Sequence, residues 1–112
     1  MAIVSTEICT KVNQGLTSEQ FNKFNQLVDW SAKAYKIVSK KAVLRVKAKN
    51  DVLLAKFLVI AGMQEMGIAN GVIDEYVGQE KLASRAGEWI RRRCLYDKPF
   101  EKRVQHVKRM IA

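Results

Sequence analysis

The hydrophobic pattern of the chain is densest in one stretch, from Asn50 to Val77. Within it, Lys56 is the only charged residue between Val52 and Gln64. A helix that is apolar on nearly every side lies inside a domain rather than on its surface. The pattern therefore predicts that this segment is the central element of the fold, with Phe57 and Ile60 in the core.

Local signals mark both ends of this central helix. Asn50 or Asp51 can cap its start, because a short polar side chain accepts a hydrogen bond from an unpaired backbone amide. Gly67 predicts its end, since glycine readily adopts the left-handed conformation that closes a helix, with Ile68 folding back onto the last turn. A second, shorter helix is then expected from Asn70 to Val77.

The N-terminal part of the chain predicts two further helices. Apolar residues spaced four apart indicate a short helix within residues 1–15 that packs on the core. Thr17-Ser18-Glu19-Gln20 has the form of a capping box, in which the side chains of Thr17 and Gln20 each accept the other's backbone N–H. The box predicts that a new helix starts at Ser18.

From Ser18 the apolar positions follow helical spacing: Phe21, Phe24, Val28, Tyr35, Val38, Ala42 and Val46. A continuous helix to Lys49 would be about 48 Å long, whereas a compact domain of this size has a radius of gyration of about 13 Å. The helix is therefore expected either to break around Ser39-Lys40-Lys41 or to project and pair with a second copy of the chain. A strand remains the alternative for Leu44–Lys49, where apolar and basic residues alternate.

Two more helices are predicted in the C-terminal part. Gly78 breaks the chain, and Gln79–Tyr96 carries apolar residues on one face. Asp97-Lys98-Pro99 separates this helix from the last one, because proline favours a first helical turn and disfavours helix before it. The last helix, Pro99–Ile111, is apolar on one side and basic on the other. The predicted fold class is all-α, a single basic domain over residues 1–112 that forms a compact bundle of five or six helices.

The charge of the chain predicts an anionic partner. A net charge of +9 and a pI near 9.8 are large for 112 residues, and nucleic acid is the commonest partner of such proteins. The charge is concentrated in two clusters with net charges of +7 and +6. The first basic cluster has seven cations and no acid: Lys33, Lys36, Lys40, Lys41, Arg45, Lys47 and Lys49. The second basic cluster has eight cations against Asp97 and Glu101: Arg91, Arg92, Arg93, Lys98, Lys102, Arg103, Lys108 and Arg109.

These clusters predict a small regulatory protein that binds nucleic acid through two basic helical faces, with duplex DNA favoured and RNA as an alternative. The candidate contacts are Lys33, Lys36, Lys40, Lys41, Arg45, Lys47, Arg91, Arg92, Arg93, Lys102, Arg103, Lys108 and Arg109. On a continuous helix, four of them share one narrow arc: Lys33, Lys36, Lys40 and Lys47. Tyr35 and Tyr96 lie beside the clusters, where they either stack on bases or pack in the core with an exposed hydroxyl. The alternative function is that of a helical inhibitor or adaptor, which docks with the same cations on an acidic surface of a larger machine.

The turn after the central helix resembles the centre of helix-turn-helix proteins. In that family an apolar residue, a glycine and a second apolar residue form the turn, and apolar residues five and eight positions later bury the second helix. The matching residues are Met66, Gly67, Ile68, Ile73 and Tyr76, and the resemblance implies that Asn70 faces a DNA groove. Met63 departs from the family, which has a small alanine there. The second helix also carries Asp74 and Glu75 without any lysine or arginine, which is unfavourable beside phosphates. A plain corner between two helices is the alternative.

A second partial match to the same family lies at Gln79–Gly87. This segment resembles the first helix of the motif, and the basic residues after it would then belong to the second helix. Glu88 and Arg93 stand where the family has apolar residues. The alternative is one uninterrupted helix that runs through Gly87.

Catalytic and metal-binding patterns are weak. His106 is the only histidine, and no glycine-rich phosphate loop or nucleophile–base pair stands out, so neither an enzyme nor a cofactor is expected. Cys9 and Cys94 lack CxxC spacing, which favours free thiols over a zinc site. A cluster of three carboxylates, those of Asp74, Glu75 and Glu80, lacks the further ligands that Mg²⁺ needs.

The chain is expected to be a cytoplasmic protein without a membrane partner. Its N-terminus lacks the basic-then-apolar pattern of a signal peptide. The apolar run from Val52 to Met63 is too short to cross a bilayer, and Lys56 interrupts it.

Overall fold

The computed structural model describes residues 16–45 and 47–112. The helix predicted within residues 1–15, and Cys9 with it, lie outside this part of the chain. The described residues form five α-helices and a short 3-10 helix, with no strand among them, which confirms the all-α fold class. The elements in chain order are α1 (Ser18–Ala34), the 3-10 helix (Lys40–Leu44), α2 (Asn50–Glu65), α3 (Asn70–Val77), α4 (Leu82–Tyr96) and α5 (Lys98–Ile111).

Helix α2 is the centre of the fold, as its sequence predicts. Every residue from Leu54 to Met63 is buried, with Phe57 only 3% and Ile60 0% exposed. The four other helices all contact α2. A helix without a polar face is stable here because its neighbours cover it on every side.

The close packing of α1 and α5 against α2 requires Gly62. A β-carbon at this position would overlap Leu27 Cδ2 of α1 and lie 3.1 Å from Val107 Cγ1 of α5. Leu27 and Val107 are both completely buried, so neither side chain has open space into which it can move. The missing side chain of Gly62 thus sets the distance between three helices.

The predicted capping box starts α1. Thr17 Oγ1 accepts the backbone N–H of Gln20 at 3.1 Å, and Gln20 Oε1 accepts the backbone N–H of Thr17 at 3.0 Å. Gln20 also donates from Nε2 to the Met66 carbonyl at 3.3 Å. The start of α1 is therefore tied to the end of α2.

Gly67 ends α2 in the predicted left-handed conformation, with φ of 77°. The backbone N–H of Gly67 donates to the Gln64 carbonyl at 3.0 Å, and that of Ile68 donates to the Met63 carbonyl at 3.2 Å. This pair of bonds is the Schellman pattern, which satisfies carbonyls that a helix end leaves unpaired. Ile68 is buried, so it folds back onto the helix as predicted.

The start of α2 differs from the prediction. Lys49 precedes the helix in an extended conformation, and neither Asn50 nor Asp51 supplies a side-chain cap. Asn50 instead adopts a φ of 53°, a left-handed value that asparagine tolerates better than most residues. Here the residue serves to turn the backbone into the helix rather than to accept an amide.

The helix that starts at Ser18 breaks, which is one of the two predicted outcomes, but it breaks earlier than predicted. The continuous helix to Lys49 and the alternative strand at Leu44–Lys49 are wrong for the described residues. Helix α1 ends at Ala34, five residues before the predicted break, and Lys36 has a φ of 55°. The chain then forms the 3-10 helix, becomes extended at Arg45 and turns at residue 47. The reason is tertiary: Val43 and Leu44 are buried at 0% and 8% exposure, which requires this segment to fold back over the core. Val38, placed on the buried stripe by its spacing, is fully exposed.

Helix α4 begins at Leu82 rather than at Gln79. Gly78 and Lys81 both have positive φ, at 70° and 60°, so the chain turns twice before the helix starts. From Leu82 the helix runs without interruption through Gly87 to Tyr96. The second partial match to the helix-turn-helix family is therefore wrong, because no turn follows Gly87.

The predicted apolar faces of α4 and α5 both pack on the core. On α5, the buried residues are Phe100, Val104, Val107 and Ile111. On α4, three residues are buried and three more are partly buried against the core: Leu82, Ala83, Ala86, Trp89, Ile90 and Cys94. The Trp89 ring stacks on Phe57 of α2, with ring centroids 3.9 Å apart, and thus fixes α4 against the central helix.

Candidate nucleic-acid interface

The first basic cluster lies on the end of α1 and on the irregular segment after it, not on one helical face. The prediction that Lys36, Lys40 and Lys47 share one narrow arc of a continuous helix with Lys33 is therefore wrong. Lys33 and Lys40 both contact Asp29, at 3.1 and 2.6 Å. Hydrogen bonds from Lys40 and then from Lys33 lower the pKa of Asp29 below its usual value. These two lysines thus have an internal partner.

The remaining cations of the first cluster are exposed and pair with no acid in residues 16–45 and 47–112. They are Lys36, Lys41, Arg45, Lys47 and Lys49. Because they follow one another in a segment without an acid, their charges add to a single positive region.

The second basic cluster divides in a similar way. Arg92 contacts Glu88 at 2.5 Å and Lys98 contacts Glu101 at 3.4 Å, but these pairs lie at the surface, where such contacts are weak. Four exposed cations pair with no described acid: Arg91, Lys102, Lys108 and Arg109. The charge of this cluster is therefore also open to an anionic partner.

Arg93 differs from its neighbours, because it holds the corner between α4 and α5. Its Nε donates to Asp97 Oδ2 at 2.8 Å, its Nη1 donates to the Tyr96 hydroxyl at 3.3 Å, and its guanidinium lies 5.3 Å from the Tyr96 ring centre. Asp97 Oδ1 also accepts the Phe100 backbone N–H at 3.0 Å and so caps α5. That backbone bond, together with Arg93, lowers the pKa of Asp97. The guanidinium of Arg93 thus makes its contacts within the fold, to Asp97 and Tyr96.

One contact brings the two clusters together. The guanidinium carbon of Arg103, on α5, lies 4.3 Å from the ring centre of Tyr35. Tyr35 stands in the chain between Lys33 and Lys36, and burial raises the pKa of its hydroxyl. A guanidinium over an aromatic face is attracted by the ring's electrons. This contact joins the basic side of α5 to the end of α1.

A shallow groove of about 460 Å³ lies beside this contact. It is lined by Trp30, Pro99, Lys102, Arg103, His106 and Arg109. The rings of Trp30 and His106 stack with their centres 4.5 Å apart and their planes 22° apart. His106 is exposed and Trp30 is half-buried, and the sequence singled out neither as a residue of a binding groove. The signal was present in part, because Lys102, His106 and Arg109 have the spacing of one helical stripe.

The corner between α2 and α3 buries the two second-helix positions at which the helix-turn-helix resemblance requires apolar residues, but its outer surface is acidic. Ile73 and Tyr76 are buried, while Asn70, Gly71 and Glu75 are exposed. A second open groove, of about 390 Å³, lies against α3, and its described lining has no cation but three carboxylates: those of Asp74, Glu75 and Glu80. Such a surface repels a phosphate backbone. Among the described residues, no group of three or more histidine, cysteine, aspartate or glutamate residues could hold a metal ion.

Lys56 links the core to the first basic cluster. It is completely buried, and its Nζ donates to the backbone carbonyl of Arg45. Burial lowers the pKa of Lys56 to about 8. The sequence showed Lys56 as the one charge in an apolar run, but only the fold shows that this ammonium holds the segment carrying the exposed cations. Cys94 is partly buried, and this burial raises the pKa of its thiol.

Comparison of the chain with protein-family models, curated proteins and solved structures finds no match. None of the described helices has the length and apolar character needed to cross a membrane.

Proposed function

We propose that the protein binds nucleic acid, with duplex DNA as its first target, through one surface formed by both basic clusters. The observation that supports this most is the contact between Arg103 and Tyr35, since it joins α5 to the end of α1. Exposed cations from both clusters then contribute to the same field, and such a field attracts a phosphate backbone. The role is that of a small DNA-binding regulator, and no catalytic step is part of it.

This proposal assigns different tasks to the cations named by the sequence. Lys36, Lys41, Arg45 and Lys47 contact phosphates from the segment after α1. Arg91 contacts them from α4, and Lys102 and Arg109 from α5. Lysine acts as a point charge and arginine can donate two parallel bonds to one phosphate. Contacts of this kind position DNA without reading its sequence. Binding is therefore expected to be nearly the same on all duplex sequences.

A salt titration of binding to a random duplex tests the proposal. The affinity should fall steeply with salt, with a log–log slope of about −0.9 for each phosphate neutralised. Replacing Lys102→Gln should reduce the slope by roughly one contact. Lys81→Gln is the matched control. Lys81 is exposed at the start of α4, whereas the cations of the second cluster on α4 lie near the end of that helix, and it belongs to neither cluster. No binding to duplex DNA at low salt would refute the proposal, and equal effects of the two variants would refute the assigned surface.

A second function, docking on an acidic protein surface, is favoured by exposed apolar side chains near the same cations. Leu95 is 74% and Tyr96 70% exposed, next to Arg93 on α4, and Val38 is 100% exposed between Lys36 and Lys40. Large apolar residues at the surface are a feature of protein interfaces. If this function holds, the wild-type protein should not shift free DNA. Cross-linking in native extracts should capture a protein partner with the wild type, and Leu95→Ala and Arg91→Gln should each reduce the amount captured.

A further inference from the structure

The groove between α1 and α5 combines an aromatic pair with positive charge. Trp30 is half-buried and His106 is exposed, and their rings are stacked. Because Trp30 covers one face of the His106 ring, the other face is the one available to a ligand. None of the described residues that line the groove is acidic, so the described lining favours an anion.

The cations lie on both sides of this aromatic pair. Lys102 precedes His106 by four residues and Arg109 follows it by three, which places all three on one stripe of α5. At 1.5 Å per residue, the cations lie roughly 6 and 4.5 Å from His106 along the helix axis. Arg103 adds a third cation, which the Tyr35 ring holds in position. The order along the stripe is charge, ring, charge.

This order matches one nucleotide inside a single strand. Such a nucleotide has a phosphate on each side of its sugar and a base whose face can stack on an aromatic side chain. In a duplex the faces of each base are covered by its neighbours, so a base must be unpaired to reach His106. A free phosphate would use the cations and leave the rings without a role.

We propose that this groove binds one unpaired nucleotide, with its base stacked on the face of His106 that Trp30 does not cover and its flanking phosphates bound by Lys102 and Arg109. This inference rests on the proposed function and adds a preference for single-stranded segments. Stacking uses the flat face that every base has, so the groove should bind all bases without a sequence preference.

Fluorescence anisotropy with a labelled single strand of about eight nucleotides, within the usual site size of such proteins, tests this inference. A duplex of the same sequence is the comparison. His106→Ala should weaken single-strand binding by roughly 5- to 150-fold, the effect of losing one base–aromatic stack. It should leave duplex binding within about twofold, because duplex contacts are made to phosphates. His106→Phe keeps a ring and should retain single-strand binding. Gln105→Ala, an exposed neighbour on the same helix that does not line the groove, is the control.

The outcomes separate this inference from the proposed function. If the single strand binds His106→Ala as well as wild type, or if His106→Phe behaves as His106→Ala, the stacking site is refuted. Binding of the duplex without any binding of the single strand also refutes the site, but leaves the proposed function intact. Binding of neither at low salt refutes the proposed function. Since His106 is exposed, all of these variants should keep the helical circular dichroism spectrum of the wild type.

Discussion

The carboxylate of Asp74, on α3, caps the start of α4 through the backbone of Ala83. Asp74 Oδ1 accepts the N–H of Ala83 at 2.8 Å, and Oδ2 accepts the N–H of Lys81 at 2.9 Å. The first amides of a helix have no partner within the helix, and a carboxylate there also interacts favourably with the helix dipole. Asp74 therefore joins α3 to the start of α4, where the N-cap residue Lys81 makes no capping bond with its own side chain.

Removing this cap should destabilise the fold. Asp74→Ala leaves amides of α4 without an acceptor, and the expected loss is about 1 to 2 kcal/mol of unfolding free energy. Glu75→Ala, at an exposed neighbouring position, should change stability by less than about 0.5 kcal/mol. Urea unfolding followed by circular dichroism measures both. Equal stability of the two variants would show that the cap contributes nothing.

Gly62 and Gly87 should respond in opposite directions to substitution by alanine. Gly62→Ala forces a methyl group against buried Leu27 and Val107, and overpacking of a core costs about 1 to 3 kcal/mol. Gly87 lies within α4, and outside the helix's own backbone no described atom is within 4 Å of an added β-carbon. Gly87→Ala should therefore stabilise by about 0.4 to 1 kcal/mol. Thermal unfolding compares the two. A stabilised Gly62→Ala would contradict the described packing of α1 and α5 on α2.

Lys56 should make stability depend on pH in the alkaline range. Its pKa is about 8 in the folded protein and about 10.5 in an unfolded chain. Below pH 8 both states carry the proton, and the cost of burying the charge is fully present. Between about pH 8 and 10.5 the unfolded state binds more protons, so stability rises with pH. The gain is at most about 3 kcal/mol, at 1.36 kcal/mol for each unit of pKa.

The variant Lys56→Met tests this dependence. Because methionine does not titrate, the alkaline gain in stability should be smaller than in the wild type by the contribution of Lys56. Exposed Lys102→Met is the control and should follow the wild-type profile. Chemical unfolding at several pH values between 7 and about 10.5 gives the comparison. A wild-type profile in Lys56→Met would show that the buried ammonium does not titrate as described.

Arg91 and Arg93 are close in the chain but should differ in what their loss affects. Arg93→Gln breaks the contacts with Asp97 and Tyr96 at the corner of α4 and α5, and the expected loss of stability is about 1 kcal/mol. Arg91→Gln removes an exposed charge with no described acid beside it, so its stability should stay within about 0.5 kcal/mol of wild type. Under the proposed function, Arg91→Gln should instead weaken DNA binding and flatten its salt dependence.

Thermal unfolding and salt titrations of duplex binding, carried out on both variants, separate these effects. If Arg93→Gln unfolds as the wild type does, Arg93 has no structural role. If Arg91→Gln binds DNA with an unchanged salt slope, Arg91 lies outside the interface.

The sequence by itself determined most of the helices and several of their ends. Periodic apolar positions, the Thr17–Gln20 box and the left-handed Gly67 act over a few residues, and local interactions of this kind can be read without the fold. The same holds for the buried α2, because a segment without a polar face has no stable position at the surface. The two basic clusters are likewise a property of the chain.

Only the tertiary structure decided where the segment after α1 goes and which cations remain open to a partner. The helical spacing continues past Ala34, but burying Val43 and Leu44 against α2 outweighs a longer exposed helix, because isolated helical propensity contributes little. The groove beside Trp30 could not be read from the sequence, since its two sides are more than 60 residues apart in the chain. Contacts over such distances depend on how α1 and α5 pack on α2, and that packing depends on the whole core.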